Sequence, residues 1–312
     1  MEDRHPTVTA AVVAATLLLL RDEPGLEQLA EATNLPAVEA AVRVALPELA
    51  VLLDRVPWPL LKRLARGVER IASPGFSLHY ALRKSCVRAA VNAAIGEGHE
   101  QVVLLGAGFD MMSLALADGA TVFEIDHPRS QAVKRRALPD GPVHYVPVDL
   151  LVDDLSEQLR AGGIDPRKDT VIAAEGLFMY FDRPRVAAIL DELAQFFVAR
   201  RRLVASFVTP DDRGQVRLHS QRRIVDFCMD LLGEQFAFGS TEPHLVELLA
   251  ERGWTASDVT STTPLLARLA PHIRMRMPRP TGEVVVTASG TSLPLRVGNP
   301  PAVRVEDLHA QG

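Results

Sequence analysis

The chain has 312 residues, 47% apolar and 23% charged, with a net charge of −5. Those values fit a folded globular protein and exclude wholesale disorder; the acidic balance argues against a protein held on nucleic acid by a general basic field. The two cysteines, Cys86 and Cys228, lie far apart without CxxC spacing, so neither a disulfide framework nor a zinc site is expected, and a reducing cytoplasm fits. The N-terminal third reads as short helices punctuated by Pro24, Pro36, Pro47, Pro57 and Pro59. Its apolar run at 10–20 is too short to span a bilayer. It follows Glu2, Asp3 and Arg4 rather than a basic segment, so it is expected to be a buried helix and not a signal peptide. A longer amphipathic helix is predicted at 78–95, closed by Gly96 and Gly98.

From residue 100 the pattern changes. Strands are predicted at 102–105, 121–125, 143–148, 170–174, 203–207, 255–259 and 282–288. Helices are expected between them at 111–117, 131–138, 155–161, 183–199 and 242–252. Such alternation predicts an α/β fold: a doubly wound, mostly parallel seven-stranded sheet with helices on both faces. The expected division is a helical appendage over 1–78, an α/β domain over 79–290 with a helical insertion at about 213–238 as a cap, and a loosely ordered tail over 291–312. Arg200, Arg201 and Arg202 are expected to be exposed cations at a helix C-terminus.

In an open parallel sheet a ligand lies at the carboxyl ends of the strands, near the topological switch point. Candidate residues cluster there: Gly106 and Gly108 after the first strand, Asp126 after the second, Asp149 and Leu150 after the third, and Glu175 after the fourth. Asp126 lies at a distance from the glycine turn at which a carboxylate can accept hydrogen bonds from ribose hydroxyls. That spacing serves NAD and S-adenosylmethionine alike. The turn discriminates better. A dinucleotide fingerprint asks for a small third residue, whereas this chain has Met111. Asp110, at the head of the next helix, would cap its free N–H groups and repel a pyrophosphate, yet suits a cationic sulfonium.

Five stretches in order then resemble the leucine carboxyl methyltransferase family of class I S-adenosylmethionine-dependent methyltransferases. They are Leu82-Arg-Lys84, Val103-Leu-Leu-Gly-Ala-Gly-Phe-Asp110, Phe123-Glu-Ile-Asp-His-Pro128, Val146-Pro-Val-Asp-Leu150 and Ala174-Glu-Gly-Leu-Phe-Met-Tyr180. The family includes enzymes that methylate a protein C-terminal leucine carboxylate and bacterial small-molecule O-methyltransferases, some from polyketide pathways. The resemblance implies a Rossmann-like methyltransferase fold and S-adenosylmethionine as methyl donor, leaving S-adenosylhomocysteine. It implies that Arg83 meets the cofactor's carboxylate, that Gly106 lies against the cofactor, and that Asp126 holds the ribose. Asp149 and Leu150 would flank the adenine, and Glu175 would contact the cofactor. One departure stands out: Met111 and Met112 follow Asp110 where the family usually continues with threonine and arginine.

The expected activity is O-methylation of a carboxylate or hydroxyl on a small-molecule acceptor, without metal, membrane or nucleic acid, in a cytoplasmic protein that could form a homodimer. Tyr180 is a candidate acceptor contact. His127, His144 and His219 are the histidines near the groove, but none is assigned as a catalytic base. Three other readings stay open: a protein C-terminal carboxyl methyltransferase, an NAD-dependent oxidoreductase, and a non-catalytic nucleoside-binding protein.

Overall fold

The computed structural model describes residues 6–116, 118–138, 141–218, 235–261 and 282–290. Six helices come first: α1 (Pro6–Thr16, running into a 3₁₀ turn Leu17–Leu20), α2 (Glu27–Thr33), α3 (Leu35–Ala45), α4 (Pro47–Arg55), α5 (Trp58–Ala72) and α6 (Phe76–Gly96). Proline occupies the first turn of α3, α4 and α5, where its missing N–H costs nothing. Then β1 (Gln101–Leu105), α7 (Met112–Leu116), β2 (Thr121–Asp126), α8 (Pro128–Ala137), β3 (Val143–Pro147), α9 (Leu155–Ala161) and β4 (Thr170–Ala174) alternate. They are followed by α10 (Arg183–Phe196), β5 (Arg201–Val208), α11 (Glu242–Glu251), β6 (Trp254–Ser261) and β7 (Glu283–Gly290).

All seven expected strands are present, in the order β3-β2-β1-β4-β5-β7-β6. The first five are parallel; β7 runs antiparallel to β5 and β6. Alternation across the pleat sorts β1 into two cores. Val103 and Leu105 join α9, α10 and α11, while Val102 and Leu104 join α6 and α7. Both faces are covered, which is why these strands read as unbroken apolar runs rather than alternating ones.

Two expectations need correction. The helix predicted to 199 ends at Phe196, where the chain bends so that Val198 and Ala199 donate to the carbonyl of Pro166. Arg201 and Arg202 therefore belong to β5 instead of a helix end. Arg201 is buried, its guanidinium 5.4 Å from the centre of the Trp254 ring, while Nη1 donates to the Phe197 carbonyl. Arg200 pairs with Asp169, and Arg202 with Glu97.

The N-terminal helices form one apolar cluster with Phe109 and Met111 of the glycine turn, and α3 and α1 also pack on α8. Met112 enters the other core, beside α6. The two methionines at the family's usual threonine and arginine thus anchor the turn in two hydrophobic clusters. Glu69 ties α5 to the start of α6: it accepts from Ser77 N and Oγ, each at 2.8 Å, and from Arg66. The helical insertion expected at about 213–238 lies largely outside the described residues, and its described residues, 213–218 and 235–238, are not helical; His219 and the tail from 291 lie wholly outside them. Among the described residues no helix is long and apolar enough to cross a membrane.

Candidate functional site

β1 pairs with β2 on one side and β4 on the other, so the crevice of this doubly wound sheet opens at the end of β1. There the chain turns through Gly106 at φ +68° and Gly108 at φ +46°, the left-handed region that favours glycine. The N–H of Gly106 donates to Ile125 O at 2.7 Å, and that of Gly108 to Asp126 Oδ2 at 2.5 Å. Asp126 Oδ1 accepts from His127 N at 2.7 Å. Burial pushes the Asp126 carboxyl up to about 6 in spite of those two N–H donors. Glu124, the other acid on β2, is buried against Lys134 at 2.8 Å and does not line the crevice.

A Cβ at Gly106 would lie 2.5 Å from Cδ1 of Leu177. Gly106→Ala therefore combines a positive φ with a clash. It is expected to cost about 1–3 kcal/mol, read as a lowered urea midpoint, together with weaker ligand binding at the displaced turn.

After β3, Asp149 Oδ1 accepts from Leu151 N, and the buried Leu150 presents its carbonyl to Arg185 Nε. His127 caps α8 by accepting from Arg129 N at 3.2 Å, and its Nε2 stands 3.8 Å from Asp149. After β4, Glu175 begins a chain of buried charges. Arg83 Nε donates to Glu175 at 3.0 Å, and Arg83 Nη1 to both oxygens of Glu283 at 3.0 and 2.9 Å. Lys84 Nζ bridges Glu175 at 3.3 Å and Asp110 at 2.8 Å. His79 Nε2 lies 2.7 Å from Glu283. Burial disfavours the charged forms of Arg83, Lys84, Asp110, Glu175 and Glu283, but the alternating signs override it for all of these except Glu175, whose carboxyl stays raised. Arg83 is held protonated by Glu283 and Glu175, and Lys84 by Asp110 and Glu175. Asp110 also accepts from Met112 N at 2.8 Å, capping α7 as its position at a helix start predicts.

Arg83, Gly106, Gly108, Asp126, Asp149, Leu150, Glu175 and Tyr180 all line one cavity of about 1260 Å³, and so does His127. Tyr180 sits edge-on to Phe236 at 5.8 Å on its far side. His144 is elsewhere: it is exposed on β3 and stacked on Phe123. Three participants are assigned no role from the sequence. Lys84 neighbours Arg83, and successive helical residues do not share a face, so only the wrapping of α6 by other elements explains why both are buried. Glu283 reaches Arg83 from 200 residues away, and His79 lies one turn before Arg83 on the same helix.

At the strand ends Asp110, Asp126, Asp149 and Glu175 outnumber Arg83 and Lys84, with the exposed Arg129 at the rim. That excess of negative charge suits a cationic nucleoside better than a pyrophosphate. Together with the sheet order and its antiparallel β7, it is the arrangement of a class I S-adenosylmethionine-dependent methyltransferase. The chain belongs to the leucine carboxyl methyltransferase family, whose sequence model matches residues 20–194.

A protein of Mycobacterium sp. strain KMS, provisionally named an S-adenosyl-L-methionine-dependent methyltransferase, is 30% identical over 203 residues, 61% of this chain and 65% of its own. One of the same provisional name from Frankia alni is 28% identical over 253 residues, 73% of this chain and 80% of its own. The chain thus spans just under two thirds of the length of the first of these relatives. In fold, it is similar to a crystal structure from Thermobifida fusca provisionally named a methyltransferase, with 15% identity, a TM-score of 0.53, and coverage of 74% of this chain and 88% of the other.

Proposed function

We propose that the chain is an S-adenosylmethionine-dependent O-methyltransferase acting on a carboxylate or hydroxyl of a small-molecule acceptor. The observation that supports it most is the convergence of Asp126, Asp149 and Glu175, from three successive strand ends, on a cavity that continues past them between the N-terminal helices. Asp126 uses one lone pair of each oxygen on the turn, and a carboxylate has about four acceptor sites. It therefore keeps capacity for two ribose hydroxyls. Asp149 and Leu150 hold the adenine end, and Gly106 and Gly108 allow close approach. Glu175 and Arg83 hold the amino-acid end. The bonds of Arg83 to the two glutamates use Nε and Nη1, leaving Nη2 for a carboxylate.

When bound, the cofactor supplies a sulfonium methyl group that an acceptor oxygen can displace. A carboxylate acceptor is already ionised at neutral pH, with a reference pKa of about 4, so the protein need only position it and exclude water. Tyr180 orients the acceptor. Leu60, Leu64 and Ile71, exposed along α5, are the surface a homodimer would cover.

Calorimetric titration with S-adenosylmethionine, S-adenosylhomocysteine and NAD tests the cofactor, and labelled methyl transfer to a panel of carboxylic acids and phenols tests the acceptor. Tight NAD binding without response to either sulfur nucleoside would sink the reading. The pH dependence is a sharper check. With the Asp126 carboxyl at about 6, only about a tenth of it is ionised at pH 5, so S-adenosylhomocysteine affinity is expected to fall about tenfold between pH 7.5 and 5. The folded-state value lies above the unfolded 3.8, so this group adds stability as the pH falls through about 6. The melting temperature should consequently not fall in parallel with the affinity.

A further inference from the structure

One face of α5 forms a wall of the cavity from end to end: Trp58, Leu61, Ala65, Val68 and Ala72 recur at helical spacing. Val12 and Thr16 of α1 contribute a second wall. At about 1260 Å³ the whole space exceeds the roughly 300–1,000 Å³ usual for a single small-molecule site, so a nucleoside at the strand ends leaves this chamber open. Among its described lining residues the chamber carries one charge, Glu69, and that carboxylate is consumed by Arg66 and Ser77.

We infer that this chamber takes the body of the methyl acceptor and selects a largely apolar molecule, uncharged away from its reacting oxygen. The inference deepens the O-methyltransferase reading and rests on it for the identity of the occupant. A peptide C-terminus, with a polar backbone over its last residues, would bury its amide groups against these largely apolar walls.

The test uses the full chain saturated with S-adenosylhomocysteine and the neutral naphthyl ketone prodan, whose emission moves to the blue in apolar surroundings. The wild type is expected to bind prodan with blue-shifted emission. Val68→Arg and Ala65→Arg, which put a cation into the chamber, should each weaken it by about tenfold or more, while S-adenosylhomocysteine affinity stays within about twofold. Val68 is 65% exposed, so its arginine variant remains foldable if the Ala65 variant does not. Prodan left unbound, or bound equally by wild type and both arginine variants, overturns the chamber. If prodan behaves as expected but S-adenosylhomocysteine does not bind at all, the chamber stands and the methyltransferase reading fails.

Discussion

Asp126→Ala raises the Kd for S-adenosylhomocysteine about a hundredfold or more at pH 7.5, with the protein still folded. Hydrogen bonds to a charged group are worth about 1.5–3 kcal/mol each, and the carboxylate would accept two from the ribose. Its loss also strands the N–H groups of Gly108 and His127, which loosens the turn proposed to lie against the ligand. Stability changes far less than affinity, because two effects oppose each other: the two N–H groups lose their acceptor, but a carboxylate disfavoured by burial is removed. Glu124→Gln is the counterpart. Glu124 sits two residues earlier on β2 and pairs with buried Lys134, so its loss should lower the urea midpoint and leave the affinity nearly unchanged. If Asp126→Ala binds as the wild type does, Asp126 does not hold the ribose. If Glu124→Gln loses affinity at full stability, the two acids have been assigned the wrong way round.

The contrast between those two acids shows what the sequence could and could not reveal. Asp126 is readable because the boundary between strand and loop is a local signal, and the same holds for Gly106, Asp149 and Glu175. The sheet's parallel order follows from alternation of strands and helices, which is also local. Glu283 is not readable: it lies at the start of an ordinary apolar strand, and only the pairing of β7 with β5 brings it under Arg83. Arg201 misleads for the opposite reason. Charged residues are usually exposed, and nothing nearby in sequence announces that Trp254, 53 positions on by numbering, will receive its guanidinium. The N-terminal helices are legible as helices from proline spacing and apolar recurrence. Their contact with Phe109 and Met111 is a tertiary fact, and the chamber between α1 and α5 depends on it.

Glu283→Leu is the variant expected to damage the fold most. Its carboxylate is fully buried and holds Arg83 by two bonds and His79 by a third. Burial alone would raise its pKa, but Arg83 and His79 override that and hold it at about 2. Removing it leaves a buried guanidinium with Glu175 alone, which Lys84 already shares. Breaking one side of a buried pair typically costs about 3–5 kcal/mol, so the urea midpoint at pH 7 should fall sharply. The pH dependence carries the sign. A carboxylate depressed from 4.5 to about 2 contributes stability that is complete above 4.5 and is lost as the pH falls from there towards 2. Glu283→Gln should therefore be less stable than the wild type at pH 7, with the gap closing as the pH falls below 4.5. The double variant Arg83→Met, Glu283→Leu removes both charges, and Lys84 then suffices for Glu175 and Asp110. It should recover much of the stability lost by Glu283→Leu, because an apolar pair of similar volume often replaces a buried ion pair without loss. It should not recover S-adenosylhomocysteine binding, since the guanidinium proposed to meet the cofactor's carboxylate is gone. Recovery of both would remove Arg83 from the cofactor site; recovery of neither would mean that His79, left without Glu283, is what the fold cannot tolerate.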